Sequence, residues 1–308
     1  MRRIRPLRKF LLGLMLYVGL CGVGGIFLAD GALHPERRPL TEAAIEGMRR
    51  MTISEDASFE DVSVAAADGV RLRGWLARPR SGNGSAVILL HGLADNRSGM
   101  TGYSQLLLAH GFSVLMPDAR AQGSSEGLVA TYGLLERNDI RRWVEYLRAD
   151  EPRCVFGFGE SMGAAQLLQS LEAGAPFCAV AAESSFANFR EIAYDRMGQP
   201  FHLGPWVGRV LLRPMVEAAF LRARWKYGLH MENISPEDAA QQTAVPILLI
   251  HGESDRNIPV RHSRRIHQSD ARSVLWEVAG ADHCGAISVA PKEFEQKLLA
   301  WFHAPAAQ

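Results

Sequence analysis

The residues with the clearest chemical potential are Gly159-Glu160-Ser161-Met162-Gly163, a G-x-S-x-G pentapeptide between an apolar run, Val155 to Phe158, and a helix-like run, Ala164 to Leu171. A strand that delivers a serine into a tight turn, followed by a helix that leaves from it, exposes the hydroxyl as a nucleophile. Ser161 is the candidate. The residues two before and two after such a serine come very close to neighbouring backbone, and glycine, lacking Cβ, fits there. A serine hydroxyl is a weak nucleophile at neutral pH, so the chemistry also needs a base within hydrogen-bond reach and a carboxylate to orient it. With 29 glycines in the chain, the pentapeptide alone is also compatible with an ordinary strand-to-helix turn, so its neighbours decide its meaning.

The elements around it have a readable rhythm. Phe59 to Ala65 and Val70 to Ala77 alternate apolar with polar residues around Asp68-Gly69, a dipeptide that favours a tight hairpin. Continuous apolar runs then follow at Ala86 to Leu90, Ser113 to Met116, Cys154 to Phe158, Cys178 to Ala182, Ile247 to Ile250 and Val274 to Val278. Strands buried on both faces read this way, which predicts a mainly parallel sheet with antiparallel N-terminal strands and helices on both faces. The predicted helices are Gly99 to Ala109, Leu134 to Ala149, Ser161 to Ala173, Pro259 to Gln268 and Pro291 to Trp301. Between about 184 and 245 the alternation breaks into an insert rich in Phe, Trp, Met, Leu and Arg. Trp206, Val207, Val210, Leu211, Met215 and Phe220 suit a helical cap over a site at the strand ends, or a second membrane-contacting element.

The chain has 308 residues and a formal charge of +1, but Arg2, Arg3, Arg5, Arg8 and Lys9 supply five positives, leaving −4 for the rest. A nucleic-acid-binding body is disfavoured. Phe10 to Ala29 is a run of 20 residues without charge, long enough to cross a bilayer as a helix. Its length favours an uncleaved anchor over a secretory signal, although Ala29 and Gly31 would suit cleavage after Gly31. With the basic end inside, the remainder lies on the non-cytoplasmic side, or is secreted or periplasmic after cleavage. Residues 1–31 are thus read as basic region and anchor, 32–58 as a juxtamembrane stalk with a short helical pattern at Thr41 to Met51 that also suits a helix lying against the body, and 59–308 as the catalytic domain.

Four cysteines make no disulfide scaffold in a chain of this size. Cys154 and Cys178 open adjacent strand-like runs, which leaves a bridge and two small buried thiols both open, the second being preferred. Cys284 follows a histidine without further ligands at metal spacing, so neither a metal site nor a cofactor is expected.

Four motifs in order carry a family resemblance: His91-Gly92, Asp118-Ala119-Arg120-Ala121-Gln122-Gly123-Ser124-Ser125-Glu126-Gly127, the serine pentapeptide, and His251-Gly252-Glu253-Ser254-Asp255, followed by His283. From Phe59 onward the chain resembles the α/β-hydrolases, in particular membrane-anchored or exported serine hydrolases of the esterase and acyl-peptidase kind. The resemblance implies an α/β-hydrolase fold and the chain order nucleophile, acid, histidine, here Ser161, Asp255 and His283. Glu183 and Asp282 are the alternative acids. It also implies oxyanion donors at the backbone N–H of Met162 and of Leu93, the second less well defined because this segment has a single His-Gly. His91, Asp118 and Arg120 are expected to hold loops, and Gln122 stands where relatives commonly carry His.

The implied activity is hydrolysis of a carboxylic ester or related acyl bond through a covalent acyl-enzyme, on a small-molecule acyl substrate. Peptidase, thioesterase or lipase activity on the same triad is the alternative, as are a cofactor-free haloperoxidase or transferase and a non-catalytic binding protein of the same fold. Oligomeric state is not encoded in any of these motifs.

Overall fold

A computed structural model describes residues 4–199 and 204–303, so Arg2 and Arg3 of the basic cluster lie outside the described residues, as does the Arg5 side chain. The chain divides into two compact units: residues 35–188 with 234–308, and residues 1–34 with 189–233.

The larger unit is built on eight strands: β1 (Ala57–Ala65), β2 (Arg71–Pro79), β3 (Ala86–Leu90), β4 (Ser113–Pro117), β5 (Val155–Glu160), β6 (Ala179–Glu183), β7 (Ile247–Gly252) and β8 (Val274–Val278). They lie in the order β1-β2-β4-β3-β5-β6-β7-β8. β1 and β2 form the hairpin predicted at Asp68-Gly69, with Gly69 at φ +84°, and β2 pairs antiparallel with β4. All later pairings are parallel.

Alternate residues of each central strand enter two cores, as the pleat requires. Ala86, Ile88 and Leu90 of β3 pack with α4 (Glu136–Arg148), α5 (Met162–Glu172) and α9 (Arg261–Ser269); Val87 and Leu89 pack on the opposite face with α3 (Thr101–Ala109) and α11 (Pro291–His303). That second core also takes Met48 and Met51 of α2 (Glu42–Ser54), so the helical pattern after the N-terminal run is a helix lying against the body. Two short helices, α8 (Pro236–Gln242) and α10 (Ala286–Val289), complete this unit.

One expectation is corrected. Cys154 and Cys178 are bonded, not two separate buried thiols, with Cα atoms 5.7 Å apart. Parallel pairing of β5 with β6 brings the starts of both strands together, and Cys178 N–H donates to the Val155 carbonyl at 2.8 Å.

The smaller unit joins α1 (Ile4–Leu33) to α6 (Phe189–Gly198), a wide turn at Val207–Leu211, and α7 (Arg213–Tyr227). Leu7–Leu33 of α1 is long and apolar enough to cross a membrane by length and composition.

Candidate active site

The serine pentapeptide is the junction of β5 and α5. Ser161 has φ +53° and ψ −113°, a conformation costly for a residue with a side chain, and its N–H is held by the Glu183 carbonyl at 2.8 Å. The two glycines make the turn possible: a Cβ on Gly159 would lie 2.6 Å from the Gly163 carbonyl oxygen, and one on Gly163 would lie 2.7 Å from that of His91. The loop after β3 therefore abuts the serine turn. A Cβ on Gly92 would be 3.7 Å from Ser161 Cβ, which places the following residue, Leu93, on the strand-end loop that flanks the serine.

Asp255 follows β7 and His283 follows β8, and the fold brings both to Ser161. His283 Nδ1 lies 2.8 Å from Asp255 Oδ2, and Nε2 lies 2.9 Å from Ser161 Oγ. A carboxylate only accepts, so the imidazole proton sits on Nδ1 and the Nε2 lone pair faces the serine hydroxyl. Asp255 is buried, and its second oxygen accepts from Asn257 N–H and Ile258 N–H, each at 2.8 Å. Burial alone would raise its pKa, but the bonds from His251 and His283 and that from the Ile258 amide outweigh it and hold the carboxyl well below the usual carboxylate range. Asp255 is thus an anion fixed on three sides.

The other candidate acids do not reach the imidazole by hydrogen bond. Glu183 bonds Ala286 N–H at 3.0 Å and faces Tyr103, while Asp282 accepts from the backbone N–H of His283 itself, at 2.8 Å. His91 is satisfied by backbone: Nδ1 donates to the Gly92 carbonyl at 2.8 Å and Nε2 accepts from Ala119 N–H at 3.1 Å, tying the β3 and β4 loops together. Asp118 takes Arg97 N–H at 2.8 Å and Ser124 N–H at 2.7 Å. Arg120 makes a two-pronged bond to Asp139 at 2.6 and 2.7 Å and a third to Asp68 at 2.8 Å. Gln122 is buried with its amide nitrogen 3.5 Å from Met162 Sδ.

A buried acidic cluster behind the turn escaped sequence reading. Glu160 and Glu183 are register partners on β5 and β6, and the Tyr103 hydroxyl sits 2.5 Å from Glu160 and 3.4 Å from Glu183. Burial, then the neighbouring Glu160 charge, pushes Glu183 up to about 8, and burial pushes Glu160 up to about 6. Tyr103 has one proton, which goes to the shorter contact with Glu160; the proton retained by Glu183 supplies the other. The sequence signals were the acidic residue inside the pentapeptide and Glu183 at a strand end, which reads there only as an alternative orienting acid. The Cys284 thiol, beside His283, is raised well above its ordinary range by burial and by the charges of Glu160, Glu183 and Asp255, so it stays protonated. Among the described residues no group of three or more His, Cys, Asp or Glu side chains is arranged to hold a metal.

A parallel-sheet fold with a serine on the turn after β5 and an acid and histidine after later strands defines the α/β-hydrolase class. Residues 87–297 match the model of the alpha/beta hydrolase family, and the chain belongs to that family. It is similar to the uncharacterized protein YqkD of Bacillus subtilis, at 29% identity over 68% of this chain and 70% of that one. It is also similar to the lysophosphatidylserine lipase ABHD12 of Mus musculus, at 26% identity over 65% of this chain and 48% of that one. Among solved structures it resembles the Pyrococcus furiosus esterase PF2001 in fold, with a TM-score of 0.69 at 23% identity, covering 90% of this chain and 99% of that one. Family membership supports hydrolase activity.

Proposed function

We propose that the protein is a membrane-anchored serine hydrolase that cleaves carboxylic esters through an acyl-enzyme on Ser161. The observation that carries this reading is the continuous hydrogen-bond chain from Ser161 Oγ through His283 to Asp255. His283 Nε2 takes the serine proton as Oγ attacks the acyl carbonyl; Asp255 stabilises the resulting imidazolium and keeps its orientation. Negative charge on the carbonyl oxygen meets the N–H groups of Met162 and Leu93, each such donor contributing about 2.7–4 kcal/mol. His283 then protonates the leaving alkoxide, and water repeats the sequence on the acyl-enzyme to release the acid. No cofactor enters any step.

Esters are preferred over amides because two similar proteins are described as an esterase and as a lysophosphatidylserine lipase. The apolar N-terminal helix serves as an uncleaved anchor, with Arg8 and Lys9 on the cytoplasmic side and the catalytic unit outside. The Cys154–Cys178 bridge supports that side, since disulfides persist in oxidising compartments. Rates of the full chain on p-nitrophenyl esters of increasing acyl length, matched thioesters, lysophospholipids and aminoacyl amides test the reading. Ester turnover that disappears in Ser161→Ala is expected; amide turnover exceeding ester turnover would move the assignment to a peptidase.

A further inference from the structure

Within the smaller unit, α7 lies alongside α1 and runs in the same direction. The Tyr17 hydroxyl donates to the Leu211 carbonyl, Gly24 and Gly25 face Met215, Ala218 and Ala219, and the Arg222 guanidinium and Tyr227 hydroxyl donate to Asp30 at 3.1 and 2.9 Å. Both sequences advance together along this contact. The approach is close: a Cβ on Gly25 would lie 2.6 Å from Ala218 Cβ and 2.7 Å from the Met215 carbonyl oxygen. Cys21, Gly25, Ala29 and Leu33, one helical face of α1, are buried. Small residues facing each other across two helices are how apolar helices pack in lipid.

Length makes this contact consequential. A helix needs about 20 residues to cross a hydrocarbon layer about 30 Å thick. Only Phe10 to Leu16 of the apolar run lies beyond the level of Tyr17 and Leu211, and that stretch rises about 10 Å. The anchor therefore cannot cross with α7 held outside the bilayer.

The surface of α7 suits entry. Leu221 and Trp225, four residues apart and so on one face, are 65% and 82% exposed, and Val210 in the preceding turn is 72% exposed. Arginines and glutamates along the lower part are paired, Glu217 with Arg190 and Arg213 and Glu191 with Arg209, while Arg224 stands exposed towards the outer end. Pairing lowers the cost of taking a charge out of water. At the outer end, Asp30 gathers Arg222, Lys226 and Tyr227, with Trp225 beside them, a polar and aromatic collar of the kind found at headgroup depth.

We infer that the occupant of this apolar face is the acyl region of the bilayer, and that the lower part of α7, with the turn before it, enters the membrane beside α1 as a two-helix wedge. The inference rests on α1 being an uncleaved anchor. The test is tryptophan quenching of the full-length protein in vesicles whose phosphatidylcholine carries 6,7-dibrominated acyl chains, whose bromines lie close to the headgroup boundary where Trp225 is placed. Trp225 and Trp206 belong to this unit, whereas Trp75 and Trp143, both buried, and the half-buried Trp276 and Trp301 belong to the other, and the Trp225→Phe difference separates them. Brominated lipid should quench the wild-type emission, and Trp225→Phe should remove about half of the quenched fraction. A Phe10→Trp reporter in the Trp225→Phe background should be quenched as well. Quenching of that reporter with no Trp225-dependent fraction would overturn the wedge and leave the anchor standing. An unquenched Phe10→Trp reporter would remove the anchor, and the wedge with it.

Discussion

Asp255→Asn changes one atom and should nearly abolish turnover. Asp255 Oδ1 accepts two backbone N–H bonds, from Asn257 and Ile258, at 2.8 Å each. In the variant the amide oxygen must keep that position, so the NH2 group replaces Oδ2 and points at His283 Nδ1, 2.8 Å away in the native protein. A donor facing Nδ1 drives the imidazole proton to Nε2, and Nε2 then presents a proton to Ser161 Oγ instead of a lone pair. Rotating the amide the other way restores the histidine contact but sets NH2 against two N–H donors. Either arrangement costs several kcal/mol. The wrong tautomer in a triad of this kind lowers kcat about 10⁴-fold, equivalent to about 5.4 kcal/mol. The assay is kcat and kcat/KM on a p-nitrophenyl ester, with the rate of fluorophosphonate labelling of Ser161 alongside, and with thermal unfolding to show that the fold survives. Asp282→Asn should stay within tenfold of wild type. An Asp255→Asn enzyme within tenfold of wild type, or an Asp282→Asn enzyme down by thousands, would refute the assignment of the orienting acid.

Three further outcomes follow from the geometry. Glu183 is neutral at pH 7 because its carboxyl is raised to about 8; the folded state therefore holds one more proton than the unfolded chain between about pH 4.5 and 8, and stability falls as pH rises through that window. Glu183→Gln removes the titration, so its unfolding free energy should lose this decline, a difference of order 3–5 kcal/mol by pH 8.5, while ester turnover stays within tenfold; parallel stability curves for the two proteins would contradict this. Cys154→Ser, which opens a link across a separation of 24 residues, should lower stability by about 3 kcal/mol in urea unfolding without changing KM, and an unchanged midpoint would argue that the link is absent. Gly163→Ala places a methyl 2.7 Å from the His91 carbonyl oxygen, so the nucleophile turn must shift, and kcat should fall at least 100-fold in protein that still folds; a normal kcat would show that the turn is looser than described.

The strands were legible because parallel strands buried on both faces carry continuous apolar runs, and the hairpin because Asp68-Gly69 marks its turn. Helix ends shifted by a residue or two: the predicted Gly99 to Ala109 begins as a tight turn at Arg97–Met100 before α3. Ser161, Asp255 and His283 could be proposed together because the family resemblance implies that chain order, and each stands after an apolar run whose strand end shares one edge of the parallel sheet. Hidden features depended on register. Glu160 and Glu183 meet only because β5 and β6 pair in phase, and Cys154 meets Cys178 for the same reason. The insert, bounded from sequence at about 184–245, contributes only Phe189–Asn233 to the smaller unit, since α8 packs with α5 and α9 of the larger one. No local pattern announced the packing of α1 on α7, whose partners Tyr17 and Leu211 are 194 residues apart; Gly24-Gly25 inside the apolar run was the only trace.

The most direct test is peptide mass spectrometry of the full chain after reaction with a fluorophosphonate ester. The expected result is one phosphonyl adduct per chain, on Ser161, forming at a rate that falls by orders of magnitude in His283→Ala and absent from Ser161→Ala. An adduct on any other residue, or labelling that persists in folded Ser161→Ala, would contradict it.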